Sequence, residues 1–170
     1  MSAPKKPSVE ILISLNEEPK VNFFPWQIEV CNVAASLCKT ISPRGLLSLV
    51  LTDTQWNEYP ANSTTDAQGN AVIAPRTTPP VFLALNDQMS NVAIMVARTT
   101  NEQALEWSIG EEALKAAIEK SLGPVLRQIV KDPKVGFTLM SCLDILTKIR
   151  ARYGRMRNTT KNVVNVMSMR

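Results

Sequence analysis

Histidine is absent from the whole chain of 170 residues. Its absence removes Ser-His-Asp and Cys-His nucleophile systems, histidine-ligated metals and the usual proton shuttle near neutral pH. It also removes every zinc module built from mixed cysteine and histidine ligands. Glycine numbers only six, and the six lie too far apart for G-x-G-x-x-G or G-x-x-x-x-G-K-[ST], so no phosphate-cradling loop is written in the chain. Long apolar runs are missing too. The stretch Val81-Phe82-Leu83-Ala84-Leu85 is far too short to span a bilayer. Cysteine occurs three times, at Cys31, Cys38 and Cys142, never as C-x-x-C. An odd count without a secretory leader predicts small buried hydrophobes rather than disulfides or metal ligands. No leader pattern opens the chain, so the expected compartment is the cytoplasm or nucleus, and the sequons at Asn62 and Asn158 are expected to stay unmodified.

What is present begins with charge. The net charge of +4 hides an asymmetry. Residues 1–110 carry seven basic and ten acidic groups, whereas residues 111–170 carry twelve basic and five acidic. A polyanionic partner fits the second part. Catalytic fragments fare worse. Ser36-Leu37-Cys38-Lys39 matches S-x-x-K but falls in an amphipathic helix, without S-D-N or K-T-G elsewhere. Asp53-Thr54 is followed by Gln55 where an aspartic protease needs glycine, and a helix cap at Thr52 or Asp53 is the better reading. No catalytic constellation emerges. The expectation is a protein that is not an enzyme, with no cofactor, no metal, no small-molecule substrate and no membrane partner.

Apolar content of 45% and a mean hydropathy of −0.04 allow a real core. The pattern predicts a mainly α fold: a compact bundle of five to six helices with a short extended N-terminal segment and a proline-rich loop. Residues 1–8 read as a flexible arm, and 9–59 as an N-terminal helical part. Within it, Trp26, Val30, Val33, Leu37 and Ile41 share one face of a helix over Pro25–Ile41. Residues 60–80 hold four prolines and read as a loop. Residues 81–154 read as a helical core. There Asn86-Asp87 is expected to cap a long helix using Met89, Val92, Ala93 and Val96, with Gly110 separating it from a second helix that opens on Glu111-Glu112. Gly123-Pro124 breaks again. A helix-turn-helix around Gly123 is disfavoured, because Glu119 stands where a small packed residue is needed. Residues 155–170 read as a basic tail or the start of a further helix.

The most regular stretch is KVGFTLMSCLDILTKIRARYGRMRNTTK, residues 134–161. Asp132-Pro133 and Gly136 predict a turn, and Thr138 an N-cap. Leu139, Leu143, Leu146, Ile149 and Tyr153 then form a stripe broadened by Cys142 and Ile145, and Gly154 suits a left-handed stop. Cations near a helix C-terminus complement its dipole, which accounts for charge inside the helix. It does not account for Arg155, Arg157 and Lys161 beyond it. The candidate nucleic-acid contact is therefore Lys148, Arg150, Arg152, Arg155, Arg157 and Lys161.

G-F-x-x-x-S-x-x-D-I-L-x-x-I-x-x-x-Y-G resembles the capsid region of Gag-like proteins from copia-type retrotransposons, algal and protist branch. Gly136, Phe137, Leu143, Leu146, Tyr153 and Gly154 carry that motif. The order of GLLSLVLTDTQW, a proline-rich interval, a long helix and the final turn agrees over roughly residues 43 to 158. The resemblance implies a helical capsid-type domain that self-associates into homo-oligomers and packages RNA. A nucleic-acid-binding regulator, cellular or viral, is the other reading that the charge allows.

Overall fold

A computed structural model describes residues 6–16 and 22–153. The fold is mainly helical, with five helices, two short strands and two 3₁₀ turns among the described residues. The helices are α1 (Phe23–Ser36), α2 (Asp53–Glu58), α3 (Asn91–Ser121), α4 (Pro124–Val130) and α5 (residues 142–153). The strands are β1 (Ser63–Thr65) and β2 (Ala71–Ile73).

In α1, Pro25 sits in the first turn, where its missing N–H costs nothing. Trp26, Val30 and Ala34 are fully buried. The helix stops at Ser36, short of the expected Ile41, because Leu37 turns extended and Cys38 adopts φ +57°. Gly45, at φ +54°, lets the chain come back so that Leu46 N–H donates to Ala34 O. A side chain there would overlap the carbonyl oxygens of Leu37 and Ala35, so the return needs glycine. Leu46, Leu47, Val50 and Leu51 then fill the core. Thr52 caps α2 through a reciprocal capping box with Gln55. The loop over 60–80 contains one feature the prolines did not announce, an antiparallel hairpin pairing Ser63 with Ile73 and Thr65 with Ala71. Asn62 is buried, and its Nδ2 donates to Trp56 O, leaving that sequon inside the fold.

Four expectations for the second half are overturned. The long helix starts at Asn91, capped by the Ser90 hydroxyl accepting from Ala93 N–H, whereas Asn86-Asp87 lies in a turn before it. Gly110 does not separate two helices. It lies within α3, buried against Cys38 and Leu46, and Glu111-Glu112 sit in mid-helix rather than at a dipole end. The inward face of α3 is Ala97, Ala104, Trp107, Leu114 and Ile118, while Val92 and Val96 point to solvent. Thr138 is not the cap of α5. Ser141 is, with its hydroxyl accepting from Asp144 N–H and the Asp144 carboxylate accepting from Ser141 N–H. Leu139 accordingly precedes the helix and is exposed.

The N-terminal segment is an extended strap. Leu15 donates its N–H to Ser121 O and accepts from Gly123 N–H, a one-residue parallel bridge across the α3–α4 junction. Leu12 and Ile13 donate their N–H groups to the Glu29 carboxylate. Inside, the Trp26 indole donates to the Ser121 hydroxyl at 2.8 Å. Trp26, Leu114, Leu126 and Ile149 bring four helices into one core cluster.

Candidate assembly and nucleic-acid surfaces

The motif before α5 is a closed turn. Asp132 and Gly136 exchange backbone hydrogen bonds of 3.0 and 2.9 Å, with Gly136 at φ +63°. The Asp132 carboxylate accepts from Lys134 and Val135 N–H, which holds it below the usual carboxylate range. Bonds from the Ser141 N–H and hydroxyl lower Asp144 in the same way. Phe137 packs half-buried against the core. Along α5, Cys142, Ile145, Leu146, Ile149 and Tyr153 face inward, and Leu143 is half-buried. The Tyr153 ring stacks on Phe23 at 4.8 Å, and its hydroxyl donates to Asn16 O at 2.8 Å. Gly154 lies outside the described residues.

Of the six basic candidates, three lie among the described residues, and Arg150 is set apart from Lys148 and Arg152. Arg150 turns inward, donating from its guanidinium to Val50 O at 3.1 Å and to Gln27 Oε1 at 3.4 Å. Lys148 is exposed, and its Nζ donates to Val130 O at the C-terminal end of α4. Arg152 is exposed and four residues from Lys148, so the two share a helical face. Arg155, Arg157 and Lys161 lie outside the described residues. The reach of Lys148 to Val130 sets it beside Lys131 and the turn that carries Lys134. The periodicity of α5 gave no sign of either lysine. The signal was the K-D-P-K turn itself, whose position depends on how α4 packs against α5.

A different surface is apolar. The helix α3 is about 46 Å long at 1.5 Å per residue, and of its first ten residues only Ala97 is buried. Its outward side there shows Val92 (72% exposed), Met95 (68%) and Val96. Beside it runs an extended strap, residues 81–86, held by Asn101. The side chain of Asn101 accepts from Leu83 N–H at 2.7 Å and donates to Leu83 O at 3.0 Å. That strap exposes Val81, Phe82, Leu83 and Leu85. Seven of the seventeen exposed large hydrophobic residues among the described residues thus fall between positions 81 and 96. Single exposed apolar residues need no explanation, whereas seven within sixteen positions are a concentration worth a functional reading.

A recess of about 230 Å³ is lined by Gln27, Ile28, Cys31, Gln55, Glu58 and Tyr59. Burial pushes the Cys31 thiol up, away from the thiolate a nucleophile needs. Among the described residues no group of three or more Cys, Asp or Glu is placed to hold a metal ion. No described helix is long and apolar enough to cross a membrane. Comparison with known proteins finds no matching family model, no matching curated protein and no matching solved structure.

Proposed function

We propose that the protein is a non-enzymatic structural protein of Gag-like type, which associates with copies of itself and contacts RNA through the cationic end of α5 and the residues after it. The observation that carries this reading is the apolar surface over residues 81–96, gathered on a strap and a helix start that lie outside the core cluster. Surface of that kind is stabilised by a partner and costs solubility without one. The RNA part rests on the excess of positive charge after residue 110 and on Lys148 and Arg152 sharing an exposed face. The likeness to copia-type Gag proteins supports both parts.

Light scattering of the full chain, with and without added RNA, tests self-association. Oligomers growing with concentration are expected, and a strict monomer in every condition defeats the reading. For RNA, the variant to make is Arg152→Gln, Arg155→Gln and Arg157→Gln together. Arg150 is left intact because its guanidinium bonds within the fold. Loss of three phosphate contacts is expected to weaken single-strand binding at least about tenfold at low salt and to flatten its salt dependence. Unchanged affinity returns those arginines to a solvated helix end. Sequence preference that survives raised salt points instead to a nucleic-acid-binding regulator.

A further inference from the structure

Residues 81–101, a strap and the start of α3, expose seven large apolar side chains whose size, charge and helical register bear on what covers them. We infer that it pairs with the same face of a second copy of this chain, in antiparallel two-fold fashion with the crossing near Met95. The inference rests on the self-association proposed above and names its contact.

Size comes first. The seven apolar residues, each 45–72% exposed, put an upper bound on the order of 800 Å² on the apolar area available, about what one partner contributes to an interface of standard size. Charge comes next. Between positions 81 and 101 stand one acid, Asp87, and one base, Arg98. Two copies of a neutral surface meet without like-charge excess, and nothing in it selects a strongly acidic or basic partner. The orientation follows from the helix. Val92, Met95, Val96 and Thr99 form an outward ridge of two turns, and Glu102 and Glu106 continue it as a charged stretch. Parallel pairing would set Glu102 and Glu106 of the two copies side by side. Antiparallel pairing about Met95 lays ridge on ridge and separates the two Glu102 carboxylates by about 20 Å along the axis. An isologous contact of this kind closes a dimer.

The test uses the full chain carrying Met95→Cys, mildly oxidised and mapped by mass spectrometry so that native cysteines are distinguished. A disulfide joining two copies at position 95 is expected. The companion variant Val92→Glu alters an exposed residue outside the core, so its fold is checked by circular dichroism. Its dimer dissociation constant is expected to rise at least tenfold. Oligomers by light scattering without cross-linking at position 95, and insensitive to Val92→Glu, overturn this contact and leave self-association standing elsewhere on the molecule. A wild-type chain that stays monomeric throughout overturns both.

Discussion

At the scale of single residues, the chemistry is set by burial. Cys142 is pushed up to about 12, chiefly by loss of solvent and then by nearby Glu111. Cys38 is pushed up to about 11 by the same cause with help from Glu106. Unfolded thiols ionise near 8.5, roughly, so above that pH the unfolded chain binds fewer protons than the folded one. Stability therefore holds below about pH 8.5 and declines as pH rises from there toward about 11. Alkylation with iodoacetamide at pH 8 should label Cys142 only slowly in the native protein and quickly in urea, and rapid native labelling would contradict its burial. On the acid side the signs reverse. Asp132 and Asp144 are depressed, so what they contribute is present at neutral pH and fades as pH drops through their folded values. Arg150 gives a third expectation. Replacing it with Gln removes charged donors to Val50 O and Gln27 and should cost about 2 kcal/mol in chemical denaturation. RNA binding measured on folded protein should stay the same.

Elements show where sequence reading succeeds and where it stops. Periodicity found α1 and α5, because one face of each meets the core along much of its length. Residue chemistry offered a cap at Thr52 or Asp53, of which Thr52 is the one used, and gave the Gly123-Pro124 break, because both are local. It misread Gly110 as punctuation. Inside the helix the glycine serves packing instead, since its missing side chain leaves room for Cys38 Sγ, which would lie 2.7 Å from an added Cβ. Gly110→Ala should thus lower stability, although alanine favours helices by about 1 kcal/mol over glycine in an exposed position. A thermal melt that rises on this change would mean the contact is loose. Ser141→Ala, which removes the cap of α5, should cost about 1 kcal/mol. The outward Val92 and Val96 were also misassigned. An apolar face at helical spacing looks the same in a sequence whether it meets the chain's own core or is left exposed. Among the charged candidates, the direction of Arg150 was the part that the sequence did not show. Lys148, Arg150 and Arg152 are neighbours along the chain, but α5 turns Arg150 toward Val50, one hundred residues earlier.

For the molecule as a whole, long-range ties among the described residues join the N-terminal strap to α3, α4 and α5. Tyr153 donates to Asn16, and Leu15 bridges the α3–α4 junction. Tyr153→Phe keeps the ring stack on Phe23 and deletes one hydrogen bond, worth about 1 kcal/mol. Hydrogen exchange over residues 6–16 should then quicken while the Trp26 core keeps its protection, and uniform loss of protection would mean the strap is not a separable unit.

The same arrangement governs how the protein is born. A ribosome releases Leu15 and Asn16 early, yet their anchors at Ser121, Gly123 and Tyr153 emerge only near the close of the described chain. During translation the opening segment can meet Glu29 of α1, but its Leu15–Asn16 end lacks its anchors, and the core behind it cannot be sealed. Nascent chains stalled before position 121 should be clipped readily by protease within residues 6–16, and that vulnerability should vanish once α5 has cleared the exit tunnel.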